Sequence, residues 1–449
     1  MALSTAQKAG WGLADTGVNV FVVVKQLLVF TYLTTFLGVP PGVAGVVTFA
    51  VLAFDVVTDP IVGYLSDRSR SRWGRRLPWI AVGAPLLALA IVAMFRVPGD
   101  MGWQANALWV FAFFGIASVG FTFVVIPYGA MAGEITQDPR ERSQMMAWRM
   151  MFASLGLLTA GALVPALAGD SREGYARATL MVAPVIVATI WGMLWATRRA
   201  PVIPTPAALG PGAVLRLVVA NRPFAILTGL YGVFTLGVAL IAAGLQLSAL
   251  YLVTDDGASP VSGLAGALGV FSTLFALFIV GSILSQPLWV WLSARLGKTS
   301  ALAVGMAAYI AVLAGVALAL PAPTLGPLAG LFLLAGMTNG AYQQIPWAMY
   351  PDLMDVTRRE SGAAIEGAFS AIWLFGQKVA NALAPLALGL VLQVAGWRPS
   401  AGGVVEQTAD ALGALEVALT WGPAAIFAAG IVVLWTVYRP RVRDLPSHR

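Results

Sequence analysis

The chain has 449 residues, of which 59% are hydrophobic and only 10% charged, with a net charge of +7. Soluble domains carry about 25% charged residues, so this composition excludes a water-soluble domain, a disordered chain and a nucleic-acid binder. Continuous apolar runs also exclude an outer-membrane barrel, whose strands alternate at every residue, and leave an all-α membrane protein.

About 20 apolar residues carry a helix across the hydrocarbon core. Hydropathy predicts twelve such spans, at 12–37, 42–65, 79–96, 105–132, 145–168 and 178–197, then at 223–253, 262–293, 300–320, 325–350, 363–394 and 414–437. In the first span Asp15, Asn19, Val22 and Gln26 form one stripe, and Lys25 lies about 80–100° off it. In the second, Asp55 and Asp59 are one turn apart and share a face. Pro60 has no N–H for the carbonyl of Val56, and Thr58 adds a hydroxyl. Oxygen donors without His or Cys suit a hard cation such as Na⁺, or a proton. The alternative is a buried pair that holds helices together through Lys or Arg.

The Arg-rich loop Ser66–Arg76 follows. Asp67, Arg68, Arg72 and Arg75 there, with Arg140 and Arg142 after the fourth span, fit a gate closed by charge pairs; Asp138, Glu141, Asp352 and Asp355 are acidic partners. A polybasic lipid-binding stretch is the alternative. The fifth span carries Arg149, and the eleventh carries Gln377, Lys378 and Asn381. Residues 198–222, with four Pro and four Arg, read as a linker between six-span halves at 1–197 and 223–449.

Two observations organise this array. Twenty of the 27 Lys and Arg fall on the side of the N-terminus, while Arg96, Arg172, Arg177 and Arg398 face the other side. That bias predicts both termini in the cytoplasm, in an inner-membrane protein. The halves also look duplicated. Asp59-Pro60…Leu65-Ser66-Asp67-Arg68 answers Gln286-Pro287…Leu292-Ser293-Ala294-Arg295 at a constant offset of 227, and Ile126-Pro127-Tyr128 answers Ile345-Pro346-Trp347. Two such halves around a midplane site are the architecture of major-facilitator carriers.

Lys25, Arg149 and Lys378 are the three cations inside predicted spans, and such charges are functional candidates by default. Arg149 and Lys378 are 229 apart, close to the repeat offset. Together with Asn19, Gln26, Gln377 and Asn381 these cations are candidate solute-binding residues. Lys25 has three readings: a substrate-binding cation, an internal partner of Asp55 or Asp59 that replaces the coupling ion, or a side chain that snorkels to the lipid edge.

The chain has no Cys, and its single His is His448. Thiolate catalysis, Cys-bound metals and a buried His relay are therefore excluded. With no nucleophile–base pair and no Gly-x-x-x-x-Gly-Lys-Ser/Thr loop, neither an enzyme nor ATP-driven transport is expected. Residues 12–37 are too long for the apolar core of a signal peptide, so no cleavable leader is expected.

At several of these residues the chain resembles the glycoside–pentoside–hexuronide:cation symporters, the melibiose permease group of the major facilitator superfamily. The motifs are Trp11-Gly12-Leu13-Ala14-Asp15-Thr16-Gly17-Val18-Asn19, then Asp55…Asp59-Pro60…Gly63…Ser66-Asp67-Arg68…Arg72-Trp73-Gly74-Arg75…Pro78-Trp79, then Ile126-Pro127-Tyr128, Asp138-Pro139-Arg140-Glu141-Arg142, Arg149, Glu366-Gly367 and Lys378. The resemblance implies a monomeric carrier in the lipid bilayer that moves a small-molecule substrate by alternating access. It places Asp55, Thr58, Asp59 and Thr122 on the cation-site positions, with Na⁺ or H⁺ as coupling ion and no other cofactor.

Departures from the family are specific. Its sugar-binding carboxylates match Asn19 and Val125, and its sugar-stacking aromatic falls on Gly129. Charged acceptors of that kind contribute about 1.5–3 kcal/mol each. A sugar or uronide is the substrate class that the resemblance implies. The alternatives are an anionic amphipathic solute such as a lysolipid, and a membrane scaffold that transports nothing.

Overall fold

The computed structural model describes residues 3–99, 101–136, 138–169, 171–200, 220–322, 324–361 and 366–442. Among the described residues the chain is helical, and the one β-type pairing is an isolated bridge between Val253 and Ala322. The helices follow the predicted order: α1 Thr5–Phe36, α2 Pro41–Arg68, α3 Leu77–Phe95, α4 Gly102–Ile135 and α6 Arg172–Thr197. Between the last two, α5 runs as Pro139–Leu158, Thr159–Leu163 and Val164–Ala168. In the second half come α7 Arg222–Tyr251, α8 in three pieces (Ser262–Leu268, Val270–Leu284 and Gln286–Leu296), α9 Lys298–Ala319, α10 Leu325–Ser361, α11 Glu366–Val394 and α12 Ala409–Val442.

Local chemistry sets the helix ends. Pro41 opens α2 with its φ already helical. Ser4, Ser171, Asn221 and Thr408 accept a backbone N–H three residues on, and so cap α1, α6, α7 and α12.

Ten of the described helices are long and apolar enough to span a bilayer, or eleven when the bent α8 pair counts as one. The remaining helix, α10, is 37 residues long, but Asn339, Gln343 and Gln344 make its middle polar. The predicted 262–293 span is sharply bent. Its first two pieces meet at 114° on Gly269, whose φ of +88° strains any residue with a Cβ. A second departure is the π-helical turn, which occurs at Val24–Leu28, Tyr32–Phe36, Thr159–Leu163 and Leu434–Tyr438. Each such turn adds a residue to the helical repeat and rotates the side chains beyond it.

Contacts divide the chain into two compact units, built on α1–α6 and on α7–α12. Unlike the expected 223–449 half, the second unit leaves Ala267–Ser272 and Trp397–Gln407 to the first. Backbone pairing explains the latter segment: Ser400 N–H donates to Thr34 O, Gly403 N–H to Thr35 O, and Gly38 N–H to Ser400 O. Most of the linker lies outside the described residues.

Within the first unit small residues let α1 and α5 pack closely. A Cβ on Gly12 would stand 2.8 Å from Arg149 N, and one on Gly156 would meet Thr16 O. Small residues permit this approach between membrane helices, and it brings Arg149 onto α1.

Candidate functional site

The acidic pair on α2 faces α4 in matched register. Asp55 and Asp59 are one turn apart, as are Ser118 and Thr122 on α4. Ser118 donates its hydroxyl to Asp55 Oδ1, and Thr122 donates to Asp59 Oδ1 at 3.0 Å. Both hydroxyl residues are fully buried, Asp55 is 2% exposed and Asp59 is half-buried. Lys25 Nζ lies 3.3 Å from Asp55 Oδ2, 4.6 Å from the ring centroid of Phe121 and 5.4 Å from that of Phe21. Lys25 is itself 8% exposed and sits in the first π turn of α1. Of its three readings, the geometry is that of the internal partner. Thr58, expected among the cation ligands, donates its hydroxyl proton to Phe54 O at 3.2 Å on its own helix, which leaves the lone pairs of its oxygen available. No group of three or more Asp, Glu, His or Cys that would hold a metal ion occurs among the described residues.

A second centre lies on α1, α4 and α5. Asp15 accepts from Arg149 Nε at 2.8 Å, from the Tyr128 hydroxyl, and from Asn19 Nδ2 at 3.4 Å. Trp11 stacks on Tyr128 with centroids 4.8 Å apart, and the Arg149 guanidinium lies over both rings. Arg149 therefore pairs with Asp15, neither with the α2 acids nor facing a solute alone. Asn19 turns back onto Asp15, and Gln26 is half-buried on α1.

The sequence pattern of the MFS/sugar transport protein family matches residues 10–439. The chain belongs to this family. It is similar to the putative glycoside/cation symporter YagG of Escherichia coli, at 24% identity over 97% of this chain and 92% of the relative. It is also similar to the mouse sphingosine-1-phosphate transporter MFSD2B, at 26% identity over 98% of this chain and 90% of the relative. A bacterial homologue of the human drug peptide transporters PepT1 and PepT2 shares its fold, with a TM-score of 0.68 at 16% identity over 99% of this chain and all of the other. The protein is thus an integral membrane transporter of the major facilitator superfamily and not an enzyme.

In this transporter the Arg-rich loop forms a charge cluster whose hub differs from the expected one. Arg76 bonds Asp67 at 2.6 Å and Glu134 at 2.7 Å, and Arg75 joins Glu134 at 3.0 Å. Arg68 stacks on Tyr64 and Arg72 on Trp73. Arg142 donates from Nε to Thr136 O, and the side chain of Arg140 lies outside the described residues, as does that of Asp355. Glu141 ties the N-terminus to α5: it accepts from Thr136 Oγ1 and Leu3 N at 2.7 Å and lies 3.6 Å from Lys8 Nζ. The Thr136 hydroxyl first, then the Leu3 amide and the Lys8 charge, hold its carboxyl below the usual range. In the second unit Lys298 pairs with Asp352 at 2.6 Å.

The second unit's interior is aromatic. Tyr231 stacks on Trp373 with centroids 4.2 Å apart and on Tyr342 at 5.5 Å, and Tyr350 covers Trp373 at 5.1 Å. The Tyr231 hydroxyl accepts from Trp347 Nε1 at 3.0 Å and Gln377 Nε2 at 3.2 Å. Lys378 and Asn381 are half-buried on the same helix as Gln377. Sequence reasoning gave no site role to Ser118, Tyr128, Arg76, Glu134 or this aromatic group. Ser118 had a signal, since Ser118 and Thr122 repeat the four-residue spacing of the α2 acids.

Proposed function

We propose that this carrier couples the movement of a small organic solute to a cation gradient by alternating access, with Asp55 and Asp59 as the cation site. One observation carries the reading: two carboxylates one turn apart on α2 meet two hydroxyls one turn apart on α4, inside a membrane span. Charge at that depth is expensive, so binding and release of a cation there shifts the balance between carrier states. Both termini are cytoplasmic in this reading and the membrane is the inner one, on the distribution of Lys and Arg.

A sugar, glycoside or uronide is the favoured solute class, supported by the glycoside/cation symporter among the relatives. An anionic amphipathic solute is the second reading, supported by the sphingosine-1-phosphate transporter and by the absence of the two sugar-binding acids at Asn19 and Val125. Internal pairing of Lys25 with Asp55 and of Arg149 with Asp15 weakens it, because neither cation is left to the solute alone.

A thermal-shift screen of the purified protein against sugars, uronides and lysolipids names the solute class, because a ligand stabilises by mass action. Uptake of the hit into proteoliposomes with an imposed cation gradient then tests the coupling. Asp59→Asn removes concentrative uptake and retains exchange; accumulation equal to wild type sinks the proposal.

A further inference from the structure

The family resemblance implies Na⁺ or H⁺ on Asp55, Thr58, Asp59 and Thr122, and the arrangement of these residues does not fit a free Na⁺. Asp55 Oδ1 is engaged by the Ser118 hydroxyl and Oδ2 by the Lys25 ammonium. An ion coordinated by Asp55 would stand a few ångströms from a fixed positive charge. Like charges that close disfavour one another strongly in a buried site.

Lys25 is well built for the place it holds. Its ammonium is a compact point charge on a flexible stem. The rings of Phe21 and Phe121 flank it at cation–π distance. It sits in the π turn Val24–Leu28, an irregularity common at functional sites, on a face about 80–100° away from the Asp15 stripe, and its ammonium reaches Asp55 on α2. A lysine recruited only to hold helices together has no need to choose the acid at a cation-site position. Here it bonds that acid, in a setting otherwise lined by hydroxyls and rings.

We propose that Lys25 is a built-in cation whose ammonium takes the place of Na⁺ beside Asp55, so that this carrier neither binds nor requires Na⁺. The proposal rests on the reading of Asp55 and Asp59 as the cation site. It turns one residue into the determinant of ion choice: removing the side chain's charge reopens a Na⁺ site.

The test is Na⁺ titration of the purified full-length protein in detergent, at constant ionic strength with choline as the replacement ion, read by thermal unfolding and by tryptophan fluorescence. Wild type stays flat. Lys25→Ala gains a saturable response, with Tm rising by roughly 1–2 °C at a tenfold excess over Kd. Lys25→Gln, which fills more of the space, gives the same gain should the alanine variant fold poorly. Lys25→Arg keeps the charge and stays flat, and Asp55→Asn added to Lys25→Gln removes the gain.

A saturable Na⁺ response in wild type overturns the proposal and leaves the cation-site reading standing. A folded Lys25→Gln with no Na⁺ response also overturns it. The cation-site reading fails separately, when Asp59→Asn accumulates solute as wild type does.

Discussion

Helices α2 and α8 occupy matched positions in the duplicated chain, and their chemistry has diverged. At the offset of 227, Asp55 and Asp59 answer Ser282 and Gln286. In the first unit the α2 pair reaches across to Ser118 and Thr122 on α4. In the second, Gln286 Nε2 bonds the carbonyl of Ser282 in its own helix at 3.1 Å, and α8 meets α10 through Trp289, whose indole donates to Met337 O at 2.7 Å. At the matched positions one unit thus carries paired carboxylates while the other carries a serine and a neutral amide. A duplicated scaffold needs two halves to move, but only one has to sense an ion; in the function proposed above, Asp55 and Asp59 give that role to the first unit.

That contrast is broken most severely by cutting a buried pair. Asp55→Ala leaves the Lys25 ammonium buried without its carboxylate, and loss of one partner from a buried pair destabilises by about 3–5 kcal/mol. Ser282→Ala at the matching position stays below about 1 kcal/mol. Unfolding of the two purified variants side by side measures the difference, and equal losses would erase the contrast.

The next effect is conformational. Arg76→Ala removes the bonds to both Asp67 and Glu134, each charge-assisted bond contributing about 1.5–3 kcal/mol. If the cluster is a gate, labelling of a cysteine placed in the cytoplasmic cavity rises about tenfold or more; Arg72→Ala, which loses only stacking on Trp73, changes it little. Unchanged labelling in Arg76→Ala returns the loop to a lipid-facing charge anchor.

The smallest effect belongs to the aromatic unit. Tyr231→Phe keeps the stack on Trp373 and removes the hydroxyl that accepts from Trp347 and Gln377, at roughly 0.5–1.5 kcal/mol. Substrate-induced tryptophan quenching in this variant reports whether Trp347 depends on that anchor.

The all-helical fold, the order of its helices and the shared face of Asp55 and Asp59 were legible because apolar runs and a four-residue spacing are local properties. The partner of Lys25 was not, since a regular period puts its side chain off the Asp15 stripe but does not say which helix lies beside that face, and Asp55 is 30 residues away on α2. Arg76 was passed over for Arg68, Arg72 and Arg75 because five arginines in one loop look alike until Glu134, from the far end of α4, selects among them. Tyr231, Tyr342 and Trp373 come from α7, α10 and α11, and no spacing in the chain links residues that far apart. The bend at Gly269 was hidden for a different reason: hydropathy runs through it without a break.

The claim that the first unit alone holds the coupling centre is tested most directly by concentrative uptake in proteoliposomes for two matched variants. Asp59→Asn should lose accumulation under an imposed cation gradient while keeping counterflow, and Gln286→Ala should keep both. Accumulation preserved in Asp59→Asn, or lost in Gln286→Ala with counterflow intact, would contradict it.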